Sequence, residues 1–298
     1  MENRELKFIE IISKTLSDNS YLGDDCAYLA DFGLCVSADS LVEDVHFSFK
    51  TITPYLLGKK ALKVNISDIL ASGAKPKYAT ICISGKLDED FIKEFYTGLN
   101  EAALEFDVKI IGGDLVGGEK ISISICVFGD IKNRNISSRK NAKDGYIVAL
   151  CGNFGASAQG FLQLSKEKTL KNEFTKAHLE PKLYQDVSKE IATKVQKPYA
   201  MCDSSDGLIN SLEWIARQSG VGFDIEFERI PKLDNTPLND VLFGGEDYSL
   251  VCVLAQDDYE KINSPELKKV GYATKTLGVR VDGLDVKNMQ REEFLHFD

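Results

Sequence analysis

The chain has 298 residues, 43% of them hydrophobic and 28% charged, and no apolar run approaches the roughly 20 residues that cross a bilayer, so disordered, collagenous and membrane-spanning proteins are excluded. With 36 Lys and Arg against 46 Asp and Glu, the formal net charge is -10, which argues against a nucleic-acid partner. One hydrophobic core rarely grows beyond roughly 250 residues, so the length predicts two domains.

The N-terminus and the cysteines both indicate a cytoplasmic protein with no membrane partner. The opening residues, MENRELKFIEIISKTL, mix charged and apolar side chains at helical spacing and lack the apolar core of a secretory signal. The seven cysteines are scattered, are never in CxxC spacing and mostly lie in apolar runs such as ISISICVFG. They are interpreted as reduced core thiols rather than zinc ligands or disulfides.

Hydrophobic periodicity predicts strands that alternate with helices, which is typical of the α/β (α+β) class. In the first half, helices are predicted over 5–17, over 54–72 behind a Thr53 cap, and after a second cap at Asp88. The strands predicted there are 26–30, 34–38, 78–84, 108–111 and 120–129. The glycine-rich segment 112–118 is predicted to be a loop.

The polar stretch KNRNISSRKNAKD at 132–144 is the predicted linker, because it has almost no apolar content between two strand patterns. We therefore divide the chain into domains 1–137 and 138–298. The second half is predicted to contain strands at 146–151, 199–202, 222–227 and 247–254, helices at 152–164 and 209–218, and a long polar helical region that ends near 195.

Short acidic clusters recur beside glycine or at the ends of predicted strands. They are GDD at 23–25, SADS at 37–40, NISD at 65–68, GGD at 112–114, CDSSDG at 202–207 and GGED at 244–247. Carboxylates on loops are the ligands that a hard cation such as Mg²⁺ requires. Each cluster taken alone is also typical of a turn or a helix cap. Asp68 differs because it lies inside a predicted helix, where structural charge pairing is the alternative.

Several nucleotide and metal motifs are absent from the sequence. It has no GxxxxGK[ST] phosphate loop, no GxGxxG opening a helix, no HExxH and no HRD-type loop. Its three histidines, His46, His178 and His296, form no convincing catalytic set. These absences exclude the common nucleotide-binding motifs, but they do not exclude a phosphate reaction that is assisted by metal ions bound to carboxylates.

Taken together, the segments resemble the thiamine-monophosphate kinase family, within the superfamily of aminoimidazole-ribotide synthetase-like ATP-binding enzymes. The resemblance rests on GDDCA at 23–27, SADSLVEDVHF at 37–47, NISDILASGAKP at 65–76, GGD at 112–114, the segment 139–145, CDSSDGL at 202–208 and GGEDYSL at 244–250. It implies an N-terminal ATP- and metal-binding domain whose sheet pairs across a homodimer, and a C-terminal α/β domain that completes the cleft. The implied ligands are ATP, several Mg²⁺ ions and thiamine monophosphate.

The resemblance also implies roles for individual residues, without a general base. The implied metal ligands are Asp25, Ser37, Ala38, Asp39, Asp68, Asp114, Asp203 and Asp206. The implied nucleotide contacts are Gly113, Asp114, Arg139 and Ser205. The implied substrate contacts are His46, Glu246 and an aromatic ring near the C-terminus, either Phe294 or Phe297.

Some residues depart from the family's usual pattern, and alternatives stay open. Ala38 replaces a threonine, Leu115 and Val116 replace threonines after GGD, and Glu180 stands where arginine is common. The alternative functions are another ATP-using enzyme of the superfamily, such as aminoimidazole-ribotide synthetase, and a non-catalytic nucleotide- or metal-binding paralogue. From the residues alone, His46 also fits a core histidine and Arg139 a solvated charge.

Overall fold

The computed structural model describes residues 4–169 and 171–289, and Phe294 and Phe297 lie outside them. The elements of the first half are α1 (Arg4–Thr15), β1 (Ala27–Leu29), β2 (Leu34–Val42), α2 (Pro54–Ala71), β3 (Lys75–Gly85), α3 (Glu89–Glu105), β4 (Lys109–Gly117) and β5 (Ser122–Asp130). Those of the second half are β6 (Ile147–Cys151), α4 (Ala156–Lys166), α5 (Glu173–Leu179), α6 (Gln185–Lys194), β7 (Ala200–Asp203), α7 (Leu208–Ser219), β8 (Gly222–Ile225), α8 (Leu238–Phe243), β9 (Leu250–Leu254), α9 (Gln256–Tyr259), β10 (Leu267–Thr274), β11 (Gly278–Val281) and β12 (Leu284–Asp285).

The strands of the described residues form one sheet in each half of the chain. The first sheet has the order β1-β2-β5-β3-β4, with β3 and β4 parallel and the other neighbours antiparallel. The second has the order β12-β11-β8-β10-β6-β9-β7, with β11 parallel to β8. Mixed sheets flanked by helices confirm the predicted α/β class.

Helix α2 connects the two halves. The Thr53 side chain caps its first turn by accepting from the N–H of Leu56 at 3.3 Å, and Pro54 follows at the first helical position, as predicted. The helix is buried nearly all round, because one side packs on the first sheet while its end reaches the second half. There the Ser188 hydroxyl donates to the carbonyl of Leu70 at 2.6 Å. Within the described residues, no helix is long and apolar enough to cross a membrane.

The predicted loop at 112–118 is wrong, because most of it belongs to strand β4. Ile81 of β3 lies opposite Gly113 in the parallel pair, and a Cβ added at Gly113 would lie 1.7 Å from the Ile81 carbonyl oxygen. The glycine therefore permits close approach of two strands rather than a turn. Strand pairing, a non-local contact, overrides the local turn preference of Gly-Gly-Asp.

The second half also differs from the sequence prediction in detail. The long polar helical region is divided into α5 and α6 around Pro181, which disfavours a helical residue before it. The strand predicted from Asp247 begins at Leu250. Strands β10 to β12 were not predicted. The linker 132–144 contains one 3-10 turn, Arg139–Asn141.

Two glycines allow α2 and α3 to pack closely, and this contact generates a prediction. A Cβ added at Gly98 would lie 1.8 Å from the Tyr55 carbonyl oxygen, and one at Gly58 would lie 2.0 Å from the Phe95 carbonyl oxygen. Because backbone cannot yield as a flexible side chain does, Gly98→Ala should lower the free energy of unfolding by about 2 kcal/mol or more. Chemical denaturation measures this. Asn100→Ala, at an exposed position of the same helix, should change it by less than about 0.5 kcal/mol, and equal losses in both variants would contradict the close packing.

Candidate active site

A cavity of about 790 Å³ lies between the two halves. Its wall includes the predicted site residues Asp25, Ser37, Ala38, Asp39, His46, Asp68, Arg139, Asp203, Ser205, Asp206 and Glu246. Residues far apart in the chain therefore converge, as expected for a binding site between domains.

Three carboxylates form the centre of this cavity wall. Asp25 precedes β1, Asp68 lies in α2 and Asp203 ends β7, yet one side-chain oxygen from each lies within 4.8 Å of the others. This cluster explains why Asp68 lies inside a helix. Helix α2 places Asp68 next to Asp25, before β1, and Asp203, at the end of β7.

Burial and mutual repulsion raise the pKa values of the cluster. Burial raises the pKa of Asp203 to about 8, with Asp25 adding to the increase. Burial likewise raises the pKa of Asp25 to about 6, although Arg139 opposes the shift. The pKa of Asp68 is raised well above its usual range by burial and by the charges of Asp203 and Asp39.

Hydroxyl groups and one arginine partly stabilise the cluster. The Ser37 hydroxyl donates to Asp68, and the Ser67 hydroxyl donates to Asp203 at 2.5 Å. The Arg139 guanidinium forms an ion pair with Asp25. Ser67 was not predicted as a site residue, although it stands beside Asp68 in the NISD segment.

The donor set fits a hard divalent cation. Three carboxylates lie together with one guanidinium, which pairs with Asp25, and the hydroxyl of Ser204, next to Asp203, is buried without a hydrogen-bond partner in the described structure. Carboxylate oxygens are the preferred ligands of Mg²⁺. Asp39 lines the same cavity, and its backbone N–H donates to Oδ1 of Asn65 at 2.9 Å.

Ala38 and the GGD segment have different surroundings. Because side chains alternate along a strand, Ala38 of β2 lies on the opposite face from Ser37 and Asp39, so it is limited to a backbone contact with the cavity. Gly113 and Asp114 are exposed on β4 and are not among the residues that line the cavity. Their assigned roles stay predictions.

Arg139 is enclosed rather than solvated. Its side chain is 19% exposed, and its guanidinium lies 5.7 Å from the centre of the Trp214 ring as well as beside Asp25. Trp214 also has Arg217 at 5.5 Å, so it packs between two arginines. The carboxylate of Asp24 accepts from the Arg139 backbone N–H at 2.7 Å and from the Ser138 hydroxyl, fixing this segment against the N-terminal half.

His46 presents a donor to the cavity. Its Nδ1 accepts from the backbone N–H of Val42 at 3.0 Å, so the proton of the neutral ring is on Nε2. The ring is partly exposed and lines the cavity, which argues against a core histidine.

The GGED segment separates two neighbouring carboxylates. Asp247 accepts from the backbone N–H groups of Gly155 and Ser157 at 2.6 and 3.0 Å, at the start of α4. Glu246 instead faces the cavity and pairs with Lys60. Burial opposes the charge of Glu246, but the charge and the hydrogen bond of Lys60 act against burial, and the net effect is a lowered pKa. Lys60 was missed because a lysine in a helical pattern normally indicates a solvated face.

Comparisons with known proteins agree with this geometry. The chain matches two family models, the AIR synthase related protein N-terminal domain over 23–131 and the AIR synthase related protein C-terminal domain over 143–282. It is 35% identical to the thiamine-monophosphate kinase of Buchnera aphidicola subsp. Schizaphis graminum, over 89% of this chain and 88% of the relative. It is 34% identical to the thiamine-monophosphate kinase of Bacillus subtilis, over 84% of each chain.

A solved structure of AaThiL complexed with AMPPCP and TMP superposes with a TM-score of 0.86 at 30% identity, over 100% of this chain and 99% of that one. The chain belongs to the thiamine-monophosphate kinase family. This confirms the predicted resemblance and the two-domain aminoimidazole-ribotide synthetase-like fold. The domain boundary between 137 and 138 stays a prediction.

In this member of the thiamine-monophosphate kinase family, Glu180, where arginine is common, has a structural partner. Its Oε2 lies 2.7 Å from Nζ of Lys59, which also pairs with Glu101 at 2.9 Å. Leu115 and Val116 are exposed on β4.

The raised pKa values predict how stability depends on pH when a chelator removes divalent cations. When the pKa of a carboxyl group is higher in the folded protein than its unfolded value of 3.8, the group stabilises the folded state at low pH. This contribution is lost as the pH rises through the folded pKa. The free energy of unfolding should therefore fall as pH rises from about 4 through about 6, where Asp25 ionises, to about 8, where Asp203 ionises. Asp203→Asn should reduce this loss and be more stable than wild type at pH 8.

Denaturant melts in chelator at several pH values test this prediction. Asp31→Asn, which changes an exposed carboxylate outside the cavity wall, should follow the wild-type pH dependence. A wild-type stability that rises over this range, or an Asp203→Asn protein that is weaker at pH 8, would contradict the repelling cluster.

Proposed function

We propose that the protein transfers the γ-phosphoryl group of ATP to the phosphate of thiamine monophosphate, forming thiamine diphosphate and ADP. The observation that carries the proposal is the partly buried cluster of Asp25, Asp68 and Asp203 in the wall of the interdomain cavity. Relatives named thiamine-monophosphate kinase, and the similar structure complexed with AMPPCP and TMP, support this choice over another activity of the superfamily.

The acceptor explains why the site needs no general base. A phosphate monoester has its second pKa near 6, so its oxygen is already a competent nucleophile at neutral pH. The main obstacle is repulsion between two polyanions. The neutral His46 and the ion-paired Glu246 are therefore assigned to binding rather than to proton transfer.

Asp25, Asp39, Asp68 and Asp203 would hold the metal, with Ser37 supporting Asp68 and the exposed Asp206 at the cavity wall. Mg²⁺ ions bound there would neutralise phosphate charge and align the attacking and leaving oxygens. Arg139, fixed by Trp214 and Asp24, is placed to contact nucleotide phosphates together with Ser205.

At the substrate end of the cavity, His46 would donate from Nε2 and Glu246 would accept. The two side chains come from opposite halves of the chain, so both halves would bind thiamine monophosphate. The predicted ring contact, Phe294 or Phe297, stays a prediction.

The protein is also proposed to be a homodimer that pairs along its first sheet. Strand β4 is a sheet edge whose apolar residues Ile111, Leu115 and Val116 are each more than half exposed, and long apolar edges favour pairing with another chain. Such pairing would cover Gly113 and Asp114 and bring them near a partner. Sedimentation at micromolar concentration should give twice the chain mass, whereas a stable monomer would contradict the dimer.

The kinase proposal predicts both turnover and a specific metal response. With ATP, Mg²⁺ and thiamine monophosphate, wild type should produce thiamine diphosphate, measured by chromatography. Asp68→Asn removes one repelling charge with little change of shape, so it should melt at or above wild type in chelator. It should nevertheless lose most of the Mg²⁺-dependent rise in melting temperature, and about a hundredfold or more in kcat.

The opposite pattern would support a structural role for Asp68. If Asp68→Asn melts several degrees below wild type in chelator and keeps Mg²⁺-dependent turnover, the shared metal site is wrong. Absence of thiamine diphosphate with wild type, despite turnover of another superfamily substrate or none, would overturn the proposed reaction.

A further inference from the structure

A buried lysine of α2 reaches across the interface between the two halves to a carboxylate of the cavity wall. Lys60 is 2% exposed, and its Nζ lies 3.2 Å from Oε2 of Glu246. Glu246 follows α8 in the second half, and its side chain remains 28% exposed. The lysine is therefore sealed from solvent, whereas its partner faces the cavity.

A histidine lies close to the same carboxylate oxygen. Nδ1 of His178 lies 3.3 Å from Oε2 of Glu246 and 3.0 Å from the hydroxyl of Ser157. Burial, with the nearby Lys60 charge, lowers the pKa of His178 to about 3, so its ring is neutral at physiological pH.

The backbone around Glu246 is also fixed in advance. Glu246 and Tyr248 adopt left-handed conformations, with φ of +63° and +51°, which non-glycine residues rarely do. The Glu246 N–H donates to the Ser205 carbonyl at 2.6 Å, while Asp247 between them is held by α4. Such conformations persist where surrounding contacts enforce them, and they concentrate at functional sites.

We infer that Lys60 is a positioning residue, which acts through its ion pair to hold Glu246 as an ionised hydrogen-bond acceptor for the organic part of the phosphorylated substrate. The inference rests on the proposed function. In thiamine monophosphate, the amino group of the pyrimidine ring is the donor that such an acceptor suits. The groups that face Glu246 are Lys60 from α2, His178 from α5, His46 from the segment after β2, and the adjacent Asp247.

Removal of the Lys60 ammonium should change the protonation of Glu246 more than it changes the shape of the cavity. A partly buried carboxylate that loses its counter-ion has a higher pKa, so it stays protonated up to a higher pH. Glu246 would then be protonated near neutral pH, and its interaction with the substrate donor would weaken. The metal cluster and the nucleotide contacts involve other residues, so ATP should bind as before.

The experiment compares Lys60→Met with wild type in Mg²⁺ and ATP. At pH 6, the KM for thiamine monophosphate should rise about tenfold, the effect of losing one hydrogen bond to a charged group, while the KM for ATP stays within about twofold. The ratio of the variant KM to the wild-type KM should fall toward one as pH approaches 9. Because the substrate phosphate titrates equally in both assays, the ratio at each pH removes its contribution to the pH dependence.

Lys59→Met is the matched control on the same helix. Lys59 is also buried, at 8% exposed, but it pairs with Glu101 and Glu180 rather than with a residue that lines the cavity. Its removal should lower the melting temperature without changing the KM for thiamine monophosphate at any pH.

A double-mutant cycle separates action through Glu246 from a general structural effect. Glu246→Gln alone should raise the KM at all pH values, and adding Lys60→Met to it should change the KM by less than about twofold. This double variant leaves no unpaired charge, so it remains usable if Lys60→Met alone folds poorly.

The outcomes distinguish the inference from the proposed function. Additive effects in the cycle, a ratio of one throughout, or an equal effect of Lys59→Met would overturn the role of Lys60 while wild-type turnover preserves the kinase assignment. Failure of wild type itself to phosphorylate thiamine monophosphate would overturn the proposed function, and the role of Lys60 would fall with it.

Discussion

The repulsion among three closely spaced carboxylates is the constraint on which the site depends. Asp25, Asp68 and Asp203 come from three separate segments and lie within 4.8 Å of one another, although burial alone disfavours their charge. The fold tolerates this arrangement by surrounding it with hydroxyl donors and Arg139. A cation bound at the proposed metal site would recover much of the stability lost at this cluster, which would couple ligand binding to folding stability.

Helix α2 links the carboxylate cluster to the Lys60–Glu246 ion pair. It carries Asp68 into the cluster, and two turns earlier it carries Lys60 to Glu246. Because the helix is buried between both halves, a shift of its axis would displace both ends of the cavity together. The close approach at Gly58 and Gly98 fixes it against α3.

The two ends of the cavity differ in charge. A negative cluster faces the position proposed for metal-bound phosphates, whereas Glu246, whose charge is balanced by the Lys60 ammonium, faces the position proposed for the organic part of the substrate. An ion-paired carboxylate offers a directional acceptor without adding to the negative field of the cluster. Under the proposed function, this arrangement would limit the negative field that two polyanionic substrates meet in an acidic protein.

The sequence by itself determined the α/β class, the main helices with the Thr53 and Asp88 caps, and the carboxylates of the cavity, because caps, periodicity and motifs are local signals. The tertiary structure alone decided that GGD is part of a strand, because pairing of β4 with β3 is a non-local contact that overrides turn chemistry. It alone decided that the partly exposed Arg139 and the buried Lys60 form ion pairs, since local sequence does not distinguish a solvated cation from one that meets a carboxylate more than a hundred residues away. The distances within the carboxylate cluster depend on how the two halves pack, and no spacing along the chain specifies that packing.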